Sequence, residues 1–192
     1  SIEKKASAIL HTYLSGDFGG EALAEILFGK SNPSGKLPFT YPRYTGSFVP
    51  YDHKYTEILD KDFGKKAFNP QWEFGFGLSY SKFEYSNLTV NKSEFLKSET
   101  IEVAVEVTNN SNVAGKEVVQ VYVSDEIASI TPSVKRLRAF KKVLLKANEK
   151  KTITFQIPVS ELAFVDASNE WNVESGGFSI TVSTENIGVS VK

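Results

Sequence analysis

Three places in the sequence combine residue types that could do chemistry. Asp17 sits in the glycine loop Ser15-Gly-Asp-Phe-Gly-Gly20, between an apolar run and a helical pattern. In α/β folds ligands bind at that edge, near helix N-termini, which makes Asp17 a candidate for a substrate rim. An Asp before a helix is also a preferred N-cap, and capping is the plainer reading. Tyr51-Asp-His-Lys-Tyr55 sets rings able to stack on the face of a sugar beside groups able to bond its hydroxyls. Tyr51 and His53 are its substrate-rim candidates, with anchoring between domains as the equal alternative. His11, at the end of the apolar run, reads as a packed or hydrogen-bonded core histidine.

Other chemistries find no residues. The chain has no Cys, which excludes disulfides, thiol catalysis and cysteine-ligated metal, and its two His assemble no metal cluster. Phe74-Gly-Phe-Gly-Leu-Ser-Tyr80 is glycine-rich but lacks the Lys-Ser/Thr of a phosphate loop and the spacing of a dinucleotide fingerprint. It reads as a hinge in which Gly75 and Gly77 allow close backbone approach. No motif calls for a cofactor. With a net charge of −1, a pI near 6.2 and only isolated lysine pairs, no basic patch points to nucleic acid. No apolar run reaches the roughly 20 residues needed to span a bilayer, so no membrane partner is expected. Asn87-Leu-Thr, Asn91-Lys-Ser and Asn109-Asn-Ser match glycosylation triplets, which arise often by chance.

The elements that would position these residues fall into three parts. Residues 1–45 open with Ala6-Ser-Ala-Ile-Leu10, suited to a buried strand. Ala22, Leu23, Ile26 and Leu27 then recur at helical spacing, with Glu21 at the positive end and Gly29 as a C-cap. A strand, a glycine loop and a helix make the terminal piece of an α/β sandwich domain, yet a parallel strand needs neighbours and this chain encodes none. Residues 46–82 form a connecting segment dense in aromatics, including Phe48, Tyr51, Tyr55, Phe63, Phe68, Trp72, Phe74, Phe76 and Tyr80. So many rings are expected to lie over another surface. Residues 83–192 alternate with period two: Ile101, Val103, Val105 and Val107; Ile153, Phe155 and Ile157; Phe178, Ile180 and Val182. Val118–Val123 is apolar on both faces and should be a central strand. Turn clusters at 109–112, 146–149 and 175–177 separate the runs. About seven short strands in about 110 residues predict a fibronectin type III-like β-sandwich.

Several of these motifs, in this order, resemble the C-terminal end of family-3 glycoside hydrolases, the β-glucosidase and β-xylosidase group. They are Ala8-Ile-Leu10 with the loop to Gly20, Gly19–Gly29, Asn32-Pro-Ser-Gly-Lys-Leu-Pro-Phe-Thr-Tyr-Pro-Arg43, Phe74–Tyr80, Gly115–Asp125 and Leu137-Arg-Ala-Phe140. Ser15 stands where the family usually has Pro. The resemblance implies a retaining, exo-acting enzyme on β-linked oligosaccharides, whose two carboxylates lie about 5 Å apart. Both belong upstream of the matched region, so no catalytic residue is expected in this chain, and alone it should not hydrolyse glycosides. The absence of Met, together with the opening at Ser1, reads as an internal start. The upstream catalytic part of the same enzyme is then the implied partner. The family favours a periplasmic or secreted location. A non-enzymatic β-sandwich interaction or carbohydrate-binding module with an N-terminal arm is the alternative.

Overall fold

The structure, a computed structural model, describes residues 3–54 and 68–192. Tyr55, Phe63 and the Lys65-Lys66 pair lie outside the described residues. Among the described ones, a single α-helix, α1 (Gly19–Leu27), precedes an all-β body. Seven strands run seven residues or longer: β1 (Phe83–Val90), β3 (Thr100–Asn109), β4 (Gly115–Asp125), β5 (Arg136–Leu145), β6 (Lys150–Pro158), β9 (Gly176–Val182) and β10 (Glu185–Val191). Three two-residue strands accompany them: β2 (Glu94–Phe95), β7 (Phe164–Val165) and β8 (Trp171–Asn172).

Two sheets face each other. One has the order β1-β3-β6, and the other β2-β10-β9-β4-β5. The chain changes sheet between β3 and β4 and returns between β5 and β6, so the core closes only once distant segments meet. Alternation places Ile101, Val103, Val105 and Val107 inward from β3, and Ile153, Phe155 and Ile157 inward from β6. Val119, Val121, Phe178, Ile180 and Val182 meet them from the other sheet. β4 is a central strand, flanked by β9 and β5, and its two faces are covered by the core on one side and by the arm at Gly75 and Tyr51 on the other, which accounts for its apolar character on both. The mixed fold class expected from the sequence therefore stands, with a helix-bearing piece followed by a fibronectin type III-like sandwich.

One element does not form. Residues 6–13 lie in no strand, and Ala6–Leu10 is exposed throughout. The reason is chemical: a strand of a parallel layer needs hydrogen-bonding neighbours, and no other strand of that layer is present in these residues. The helix that follows does form and ends as its sequence predicts. Gly29 takes φ +73°, its N–H bonds to the Ile26 carbonyl at 3.0 Å, and the Lys30 N–H bonds to the Glu25 carbonyl at 2.8 Å. This pair of bonds closes the last turn around a left-handed glycine.

The described residues before the sandwich, 3–54 and 68–82, form an N-terminal arm, in which 32–43 and 69–81 pair with each other and run over the sandwich. Leu37 N–H bonds to the Phe76 carbonyl and Gly75 N–H to the Leu37 carbonyl, both at 2.8 Å, and Tyr41 bridges Trp72. Gly75 and Gly77 are tight points here. A Cβ on Gly75 would strike the Gln120 side chain, and one on Gly77 the Gly35 carbonyl. The glycines serve close backbone approach, as their spacing in the sequence suggested.

Candidate functional site

The loop carrying Asp17 is open to solvent, and Phe18 holds the N-cap position of α1 with no side chain capping the helix. Asp17 thus does not serve as a cap. His11 is not a core residue: it is exposed, edge-on to Tyr13 at 4.1 Å and near Phe39 and Tyr41 at 6.2 and 6.1 Å. The strand that would have buried it lacks a sheet. Around these residues Leu14, Phe18, Leu27 and Phe48 point outward, and Phe28 is 83% exposed. They are large apolar side chains that nothing in the described residues buries.

Tyr51 and His53 lie together, on the sandwich. His53 is 4% exposed, with Nδ1 3.0 Å from the Tyr51 carbonyl and its ring stacked on Phe68 at 3.5 Å. Its own carbonyl accepts from Val134 N–H at 2.9 Å. The Tyr51 hydroxyl accepts the Leu137 N–H of β5, and its ring packs on Phe74 at 4.5 Å. Burial pushes the Tyr51 phenol above its ordinary range, partly offset by the Leu137 amide. Asp52 between them pairs with Arg136 at 3.4 Å. Burial would raise its carboxyl, but the Ser133 hydroxyl and the Arg136 and Lys54 cations outweigh this and hold it low. This geometry favours the anchoring alternative for residues 51–54. No hydrogen bond, ion pair or ring contact among the described residues joins Asp17 to Tyr51 or His53.

Two connectors between arm and sandwich were not evident from the sequence. Asn32, in what reads as a simple turn, ties four groups: its Nδ2 donates to Ser81 Oγ and the Ala114 carbonyl, both at 2.9 Å. Its Oδ1 accepts from Ser79 Oγ at 2.8 Å and from Tyr80 N–H at 3.0 Å. Lys36 reaches Glu117 of β4 at 3.2 Å, and the buried Glu117 also accepts the Tyr85 hydroxyl at 3.1 Å. Burial first, and then the Glu117 carboxylate, raise the Tyr85 phenol well above its ordinary range. The only sequence signal for this triad was Glu117 on an inward position of a strand otherwise apolar there.

Carboxylates that the structure perturbs have structural partners. Glu99 is held low by Lys92 and the Leu96 amide, Glu106 by Lys150 and Asn87, and Glu149 by the Lys146 amide and Lys151. Asp125 is raised by burial, and its oxygen accepts the Ile127 N–H at 3.2 Å, opening the loop that follows β4. No group of three or more His, Asp or Glu among the described residues could hold a metal ion.

Comparison with known proteins places this architecture. Residues 1–80 match the glycosyl hydrolase family 3 C-terminal domain, and residues 117–186 the fibronectin type III-like domain. A β-xylosidase of Formosa agariphila is 37% identical over 94% of the chain, and a lysosomal β-glucosidase of Dictyostelium discoideum is 39% identical over 95%. The crystal structure of a β-glucosidase of Listeria innocua in complex with laminaribiose superposes over the whole chain with a TM-score of 0.90 at 34% identity. The chain spans about a quarter of these relatives, 25%, 23% and 28% of their respective lengths.

Proposed function

Because the chain belongs to glycoside hydrolase family 3, whose C-terminal and fibronectin type III-like domains match residues 1–80 and 117–186, we propose that it serves a retaining, exo-acting β-glycosidase of β-glucosidase type. In that enzyme it is the supporting C-terminal part, and the catalytic carboxylates lie on polypeptide outside these 192 residues. The observation that carries this reading is the set of exposed apolar side chains in residues 9–48. Leu14, Phe18, Leu27, Phe28 and Phe48 are large apolar side chains left exposed within 35 residues of one segment, and so much uncovered apolar area calls for a partner. An upstream α/β body that supplies strand neighbours for Ala6–Leu10 would cover it. The same reading divides the chain into 1–45, 46–82 and 83–192.

Within this reading the open Asp17 loop lies at the substrate rim, and Tyr51 and His53 hold the segment behind it against the sandwich. The substrate is a β-linked oligosaccharide, cut from its non-reducing end. The test compares this chain with a longer polypeptide that adds the upstream part of the enzyme, using an aryl β-glucoside and an aryl β-xyloside. Activity is expected only with the upstream part present, and Asp17→Ala is expected to raise KM with kcat little changed. Hydrolysis by the 192-residue chain alone, or none by the longer polypeptide on any β-glycoside, would overturn the proposal.

A further inference from the structure

A cleft of about 250 Å³ lies beside β5, lined by the core residues Val123, Leu162 and Phe178. Arg136 and Arg138 also line it. Arg138 occupies a break in the ladder: Ala139 pairs with Val121 and Leu137 with Tyr122, so Arg138 is the extra residue of a β-bulge. Bulges re-aim side chains and are common beside functional sites. The Arg138 Nε–H is buried and has no hydrogen-bond partner. The neighbouring Arg136 has Asp52; Glu161 and Asp52 act on Arg138 only from beyond ion-pair distance, and no carboxylate among the described residues forms an ion pair with it. Asp125 also lines the cleft and is engaged with the Ile127 amide. Burial, followed by repulsion from Arg136, pulls the Arg138 guanidinium below its ordinary range.

A buried N–H of a cation without a partner is costly, and native proteins rarely leave one so. A guanidinium presents a planar fork that fits a carboxylate with two parallel bonds. Around this charged centre stands an apolar collar. Trp171, 72% exposed, pairs with Val165 across β7 and β8, and Ile130 reaches the same cleft from the loop between β4 and β5. A half-buried arginine with a sealed Nε–H, beside aromatic and aliphatic side chains in a cleft that Thr131 and Ser133 also line, is the arrangement of an interface anchor.

We propose that this cleft is the socket for an Asp or Glu side chain of polypeptide outside these 192 residues, with Arg138 as the fork that receives it and Trp171 as the collar that excludes water. The occupant is a protein segment because the collar offers apolar contact area and because the relatives carry about three times as much further chain. The inference rests on the proposed function and adds a second point of attachment, on the sandwich itself.

Hydroxyl-radical footprinting of the chain and of the longer polypeptide tests it, together with thermal unfolding of Arg138→Met and Arg138→Lys in both. Trp171 is expected to oxidise about tenfold more slowly in the longer polypeptide, as a core interface residue would. Arg138→Met should lower that polypeptide's midpoint by about 4 °C or more, with Arg138→Lys in between, yet leave the chain's midpoint unchanged or higher. If Phe18 and Phe28 are protected while Trp171 oxidises equally in both, the socket is overturned and the proposed function stands. If all three oxidise equally, both fail. If acetate or glucuronate raises the midpoint of the chain but not of Arg138→Met, while Trp171 stays exposed in the longer polypeptide, the site takes a free carboxylate and docking is overturned.

Discussion

The sandwich and the arm use apolar residues in opposite ways. On β3 every second side chain from Ile101 to Val107 is sealed against β6 and the facing sheet. On the arm, Leu14, Phe18, Leu27, Phe28 and Phe48 have the same chemistry and face outward. The sandwich satisfies its ladders within 83–192, whereas Ala6–Leu10 finds no ladder at all. One region is therefore a core complete in itself, and the other has the makings of half an interface. The difference teaches that hydrophobicity alone does not say where burial happens. Apolar side chains turn inward where their partner strand is among the described residues, and stay exposed where it is not.

That contrast can be broken by substitutions on either side. The largest effect is expected in the sandwich: Ile101→Ala should cost about 3 kcal/mol in denaturant unfolding, because a fully buried aliphatic is lost and the rigid sheets cannot close the gap. A cost below about 1 kcal/mol would mean that this core is not tightly packed. Next comes the junction. Glu117→Ala strands the Tyr85 hydroxyl and leaves Lys36 only the Gly77 carbonyl, and should cost about 2 kcal/mol, with Glu117→Gln recovering part through the hydroxyl bond. Equal losses for the two variants would show that only the Lys36 charge pair matters.

The same triad predicts an alkaline weakness. The native state holds the Tyr85 proton more tightly than the unfolded chain, whose phenol titrates near 10. Stability from this group is therefore complete below pH 10 and is lost as pH rises above it. Tyr85→Phe should flatten the fall in stability above pH 10, and an unchanged slope would contradict the burial assigned to this phenol. The smallest effect belongs to the arm: Gly29→Ala, at φ +73° with open space around it, should cost about 1 kcal/mol through backbone strain alone. It should register as faster amide exchange in α1 rather than as a shift in the sandwich's unfolding.

The alternating runs at 100–108 and 151–158 were legible because each strand buries one face, and they emerge as β3 and β6 almost to the residue. The helix end at Gly29 was legible for a local reason, since a left-handed cap needs no distant partner. β5 was harder, because Arg136-Leu-Arg-Ala-Phe-Lys-Lys carries no clean period; it is an edge strand whose bulge exists only relative to β4. The Asn32 and Lys36–Glu117–Tyr85 ties were hidden for a similar reason. They join residues up to 82 positions apart, and spacing along a chain is silent about such meetings. The Asn109 triplet shows the reverse case: its side chain is fully buried, donating to the Val113 and Lys146 carbonyls at 2.8 and 2.9 Å, so a local motif is spent on structure.

On the proposed function, the arm's exposed apolar side chains are covered by the upstream part of the enzyme, while the sandwich is complete without it. Amide hydrogen exchange measured on this chain and on the longer polypeptide tests it most directly. The α1 amides should exchange rapidly in the chain and slow by about a hundredfold or more in the longer polypeptide, while β3, β4 and β6 are strongly protected in both. Exchange of α1 at the same rate in both would contradict the account.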